Sequence, residues 1–178
     1  MPVAARLNQA ADAARVLVIS TVDAHPENDG EFSEYAAHCV RGAAGQRKPA
    51  ATCVTAAPVV VGERAGPLPP LAGVRQILLE KTTVDCFRNR NLAPLLDALA
   101  LDHAVVFGVA TEVAVRHTAM GLLARGCRVT VVRDGVRGVN AGMVRHALAE
   151  MERCGAVLAD SATAVQSLAG GKYQSTLP

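Results

Sequence analysis

The sequence predicts an α/β domain of three layers, with helices on both faces of an open, mostly parallel sheet. Short β-branched runs, apolar on successive residues, suit strands buried on both faces: RVLVIST (15–21), RQILLEK (75–81), HAVVFGV (103–109), CRVTVVR (127–133) and GAVLAD (155–160). Helical patterns fall between most of these runs, as parallel connections require. With 178 residues, 51% hydrophobic and 19% charged, the chain fits a single compact domain over residues 1–178.

In chain order, Val3, Leu7, Ala10, Ala11 and Ala14 recur at helical spacing before the first strand. Residues 22–74 then form a long loop region rich in Ala, Pro and Gly, patterned only at VVV (59–61). A loop of that length inside a compact domain is usually functional or disordered; its first half is chemically rich, and it is expected to be the active-site loop region. After the second strand, Asn91 stands as N-cap of NLAPLLDALA, with a proline in its first turns. Thr111 is expected to cap a helix from Glu112 to Arg125, stopped by Gly126. ALAEMERC closes another helix before Gly155, and residues 161–178 read as a solvated tail. In sheets of this kind ligands bind beyond the carboxyl ends of the strands.

Composition narrows the function classes. A formal charge of +2 with scattered arginines gives no basic patch for nucleic acid or anionic membrane, and 3% aromatic residues leave few stacking platforms. No apolar run approaches the roughly 20 residues of a membrane span, and the first residues lack a signal-peptide core, so a cytoplasmic protein is expected. Five cysteines without CxxC spacing read as small buried hydrophobes rather than a disulfide or zinc framework. A small-molecule ligand is the partner these features favour.

Three stretches carry chemistry. In TVDAHPENDGEFSEYAAHC, Asp23 and His25 are two residues apart and share one side of an extended segment, with His38 further on. One carboxylate and two imidazoles can hold a divalent ion, zinc or else manganese or iron; equally, Asp23 can cap a turn and the histidines can be surface groups. In EKTTVDCF, Lys81 at the carboxyl end of a buried strand can point its cation into the crevice or reach out to solvent. Cys86 nearby is either a nucleophile or a buried thiol. In GVATEVAV (108–115), a tight turn leads from strand to helix, where a cysteine would be acidified and the first amides would form an oxyanion hole; here the amides are present without a thiol.

Taken together these stretches resemble the isochorismatase-like cysteine hydrolases, on the nicotinamidase side, collinearly from about residue 3 to about residue 160. Thr21, Asp23 and His25 match the family's T-x-D-x-H, AHCVRGAAG (37–45) matches its P-H-C-V-x-G-T-x-G with His38, KTTVDCF supplies Lys81, and GVATEVAV matches the nucleophile turn. The resemblance implies a Rossmann-like parallel sheet, a metal held by Asp23, His25 and His38, and a catalytic Lys81. It implies an oxyanion hole at Ala110 and Ala114 and a cis peptide between Val109 and Ala110. It further implies hydrolysis of a small-molecule amide through an acyl-enzyme, and a homo-oligomer.

The departures fall on the chemistry. Ala114 occupies the nucleophile position, and the family strand carrying the catalytic aspartate has no counterpart, the chain beginning at the helix that follows it. AAHC and GAAG lack the family's loop proline and threonine, which favours a less ordered loop. The expectation is therefore a pseudoenzyme of the nicotinamidase-related branch, inactive as written. The alternatives are a non-catalytic metal- or ligand-binding protein and a thiol-independent hydrolase of the isochorismatase type.

Overall fold

A computed structural model of the protein describes residues 2–170. Strands β1 (Val18–Asp23), β2 (Val59–Val61), β3 (Gln76–Lys81), β4 (His103–Val109), β5 (Arg128–Arg137) and β6 (Val157–Ala159) alternate with helices α1 (Pro2–Ala13), α2 (Leu92–Ala98), α3 (Arg116–Ala124), α4 (Ala141–Arg153) and α5 (Ser161–Ala169). Every strand pairing is parallel, so the expected α/β architecture is present.

The sheet is divided. Its strands pair as β1-β3-β2 and as β4-β5-β6, and no ladder joins β1 to β4 among the described residues. Burial follows: β3 and β5 each lie between two neighbours and bury Ile77, Leu79, Val129, Val131 and Val132, whereas β1 beyond Val18 and most of β4 are only half-buried. The halves are held in one body by packing rather than by ladder hydrogen bonds. One cluster joins Ile77 and Leu79 to Val106, Val129 and Val131 beneath Leu92, Leu95 and Leu96 of α2. On α1, Leu7 packs with Val132 and Ala164, while Ala11 packs with Val18 and Leu168. A single amphipathic helix therefore touches both halves.

Residues 161–169, read as tail, form α5 because Asp160 accepts from the Thr163 amide at 2.8 Å and Ala164 and Leu168 bury against α1. The rest of the expected tail, 171–178, lies outside the described residues. The long loop is built from short 3-10 turns at Gly30–Ser33, Ala44–Gln46 and Ala50–Thr52, and from β2. Two buried amides tether it: Asn8 and Gln76 both donate to the Thr52 carbonyl, at 2.7 and 3.2 Å, and Gln76 accepts from the Val54 amide. Such bonds to otherwise unpaired backbone groups order a loop that has little periodic pattern.

Asn91 stands at the start of α2 without capping it. Its side chain instead donates to the carbonyls of Gly62 and Arg64, both at 2.7 Å, where the chain leaves β2. Thr111 is likewise no cap: it lies inside a π-helical turn, Thr111–Val115, that precedes α3, and its fully buried hydroxyl has no hydrogen-bond partner among the described residues. The wider turn draws that side chain into the interior, away from the free amides a cap must reach. None of the helices of the described residues is long and apolar enough to cross a membrane.

Gly121 on α3 faces the Phe87 ring in the turn after β3. A Cβ there would lie 2.1 Å from the Phe87 ring. Gly121→Ala is expected to lower stability by about 1–3 kcal/mol through overpacking, read from chemical denaturation. A loss below about 0.5 kcal/mol would mean that the ring moves aside freely.

Candidate active site

The carboxyl ends of β1, β3 and β4 surround a cavity of about 220 Å³. Its walls are Thr21, Asp23, His25, Glu31, His38, Lys81, Thr83, Val84, Val109, Ala110, Val113 and Ala114. Every residue assigned to the site from the sequence is among them. The long loop, the lysine strand and the nucleophile turn therefore converge as the motifs imply.

β1 pairs with β3 in a register that sets Asp23 opposite Lys81. Lys81 is 5% exposed and donates from Nζ to the Asp23 carboxylate. The buried cation needs such a partner, because an isolated ammonium in the interior is strongly disfavoured. Asp23 shares the cavity with His25 and His38 but is engaged by Lys81.

The metal-type cluster is instead His25, Glu31 and His38, whose ligand atoms all lie within 4.8 Å of one another. His25 and His38 are the residues expected from the sequence, and Glu31 is one that sequence reasoning missed. Asp23 and His25 were related by extended i, i+2 geometry, but β1 ends at Asp23 and the chain turns back through the 3-10 turn at Gly30–Ser33. The second histidine returns through a bridge in which His25 donates its amide to the Cys39 carbonyl and accepts from the Arg41 amide. The two imidazoles end with centroids 4.8 Å apart, beside the Phe32 ring.

The donor set fits a divalent ion. His25 Nδ1 bonds to Asp29 Oδ2 at 2.9 Å and His38 Nδ1 bonds to the Ala36 carbonyl at 3.1 Å. A carbonyl can only accept, so His38 presents Nε2 as its free lone pair, and the Asp29 carboxylate assigns the same tautomer to His25. Asp29 is held below the usual carboxylate range, first by the Glu31 amide and then by His25. Its folded value is depressed, so the order these bonds add is present above the usual range and lost as pH falls through the lowered value.

At the nucleophile turn, the expected cis peptide joins Val109 to Ala110. Ala110 and Ala114 both face the cavity, and Ala114 contributes only a methyl group. Glu112 braces the turn by accepting from the amides of Val139 and Asn140 at 2.8 and 3.0 Å. None of the five cysteines lines the cavity. Cys86 is 1% exposed and bonded to Thr118, whose hydroxyl in turn reaches the Ala114 carbonyl, so it lies behind the turn. Burial pushes its thiol up, outweighing the Thr118 hydrogen bond. In native protein at neutral pH, iodoacetamide is expected to modify Cys53 and Cys154, which are exposed, and to spare Cys86 and Cys127 until unfolding. Mass spectrometry of the labelled chain reads this, and rapid labelling of Cys86 would reinstate it as a nucleophile.

Residues 1–163 match the Isochorismatase domain family. The chain belongs to the isochorismatase family. It is similar to the nicotinamidase of Escherichia coli (strain K12), 40% identical over 60 residues, a match spanning 33% of this chain and 28% of that protein. Among solved structures it is similar to an isochorismatase-like hydrolase from Alkaliphilus metalliredigens at 21% identity and a TM-score of 0.71, covering 93% of this chain and 84% of that one. It is also similar to the pyrazinamidase of Pyrococcus horikoshii in complex with zinc at 25% identity and a TM-score of 0.67, covering 85% and 79%. The parallel α/β fold and membership of the isochorismatase family are thus shown.

Proposed function

We propose that this protein is a nicotinamidase-like member of the hydrolase family that binds a small amide, or the acid derived from it, at the Lys81 cavity, and in which thiol-based cleavage of the C–N bond is disabled. The observation that carries this reading is the cavity wall: Lys81, Asp23 and the nucleophile turn are in place, while the reacting position is Ala114. A methyl group cannot attack a carbonyl, and covalent amide hydrolysis needs a nucleophile within reach. Val84, Val109 and Val113 give the cavity apolar walls against which an aromatic amide can pack. The Lys81 ammonium supplies the charge that would orient its polar end.

The histidine cluster would hold a divalent metal, zinc being favoured by its imidazole and carboxylate donors and by the zinc bound to the Pyrococcus horikoshii relative. Bound there, the ion would act as a Lewis acid toward a substrate donor atom. A second reading, thiol-independent hydrolysis, is favoured by one feature, the Asp23–Lys81 pair, which brings a carboxylate and an ammonium to the cavity as an acid and base would require.

The test sets the wild-type chain against nicotinamide and pyrazinamide, with and without zinc. Ligand binding by NMR without ammonia release is expected. Turnover abolished by Lys81→Ala would establish the second reading, and no binding of either amide or its acid would overturn the first.

A further inference from the structure

We propose that the ligand of the Lys81 cavity carries an apolar arm that leaves across Val109 and continues over Val139, so that amides or acids with an alkyl or aryl extension bind better than bare ring amides. This deepens the reading above and rests on the cavity being a ligand site. Among the described residues seven large apolar side chains stand exposed, and two of them, Val60 and Val157, lie on the outermost strands β2 and β6. The other five, Tyr35, Val84, Val109, Val139 and Met143, lie at or beyond the carboxyl ends of β1, β3, β4 and β5, the end of the sheet that holds the cavity. Single exposed apolar residues are ordinary, but their gathering at one end marks a contact surface.

Two of the five belong to the cavity itself. Val84 and Val109 line it, yet they are 49% and 73% exposed, so the apolar wall continues outward past the mouth. Asp23, His25, Glu31 and His38 make another part of the wall polar, which directs an apolar arm to the valines. The cavity holds about 220 Å³, below the roughly 300–1,000 Å³ of sites that cover most of a larger ligand. A ligand bigger than a ring amide would therefore extend over these side chains. Val139, 92% exposed, is held in place rather than carried on a loose loop: its amide and that of Asn140 both donate to Glu112, the neighbour of the wall residue Val113. A Cβ at Gly138 would meet Glu112 Oε2 at 1.8 Å, so the connection from β5 to α4 sits directly on the nucleophile turn. Asn140 fixes its far end by accepting from the Met143 amide at 3.0 Å. A surface fixed in this way loses little freedom on contact, and the arm gains by leaving water.

Calorimetric titration of the full chain compares nicotinamide with its derivative carrying a butyl group para to the carboxamide, and with the derivative in which hydroxypropyl replaces butyl. Butyl is expected to tighten binding at least about tenfold, and hydroxypropyl to bind at least about fivefold more weakly than butyl, since the gain comes from apolar surface leaving water. Val139→Asn is expected to cut the advantage of butyl over nicotinamide at least about fivefold while leaving nicotinamide itself within about twofold. Val60→Asn, on the outer strand β2, is expected to change neither. Both valines are exposed, so each variant should fold, and circular dichroism checks it. A butyl gain below tenfold, or one that survives Val139→Asn, overturns the inference while nicotinamide binding stands. Sedimentation of the same proteins covers the other occupant: a dimer that Val139→Asn dissociates assigns the rim to a second copy of the chain and also overturns it. Absence of binding by nicotinamide and both derivatives overturns this inference and the cavity reading together.

Discussion

Ala114→Cys is expected to create a thiol that iodoacetamide modifies at pH 7 at least about tenfold faster than Cys53 or Cys154, and to bring ammonia release from nicotinamide up from none to a measurable rate. The residue lies in the turn preceding α3, at the amino end of that helix, and it shares the cavity with the Lys81 ammonium. Both influences favour thiolate, so the thiol should titrate below the usual value of about 8.5. The thiolate would attack the amide carbonyl, forming a C–S bond as the C–N bond breaks, and water would then cleave the thioester to the acid. The departing nitrogen needs a proton, which the Asp23–Lys81 pair is placed to supply. Labelling kinetics against pH and an ammonia assay read the two steps separately. A thiol that titrates at or above 8.5 would show that the turn no longer activates a nucleophile. A reactive thiol without ammonia release would show that the pair does not serve as acid and base.

Most of the fold was legible because strand burial leaves a direct mark on sequence. HAVVFGV is β4 residue for residue, and the lysine strand begins one residue after its expected start. Ends and caps were less legible. Asn91 and Thr111 are residue types that cap helices, but tertiary partners claim one and a π-turn withdraws the other. The division of the sheet into halves could not be read from strand patterns, since hydrogen-bond pairing between non-neighbouring strands leaves no local signature. At the site, the residues singled out by the family motifs line one cavity, yet the motifs could not say which carboxylate faces which cation. Glu31 lies six residues beyond His25, a separation brought within ligand distance only by the turn that Asp29 initiates. The acid-plus-turn pattern D-G-E in TVDAHPENDGEF was the available signal for it.

Asn89→Ala is expected to lower stability by about 2–4 kcal/mol, more than most single changes to a polar residue, because this one side chain closes the carboxyl ends of two strands. Asn89 is 1% exposed, and its Nδ2 donates to the carbonyls of Glu80 at 2.7 Å and Gly62 at 3.2 Å, with Val61 at 3.5 Å. Its Oδ1 accepts from the Asn91 amide at 2.8 Å. Alanine would leave these groups without partners where water has little access, and each unmet buried group costs about 1–3 kcal/mol. Glu80 immediately precedes Lys81, so loosening this junction should also shift the lysine relative to Asp23 and weaken ligand binding at the cavity. Asn89→Asp separates the two roles of the amide: it keeps an acceptor for Asn91 but turns a charged oxygen toward carbonyls, and at pH 7 it should cost at least as much as alanine. Urea denaturation measures both variants, and a loss below about 1 kcal/mol for Asn89→Ala would mean that water replaces the side chain at the strand ends. The same junction would then be too open to hold Lys81 in a fixed position, and the pairing with Asp23 would rest on β1 and β3 alone.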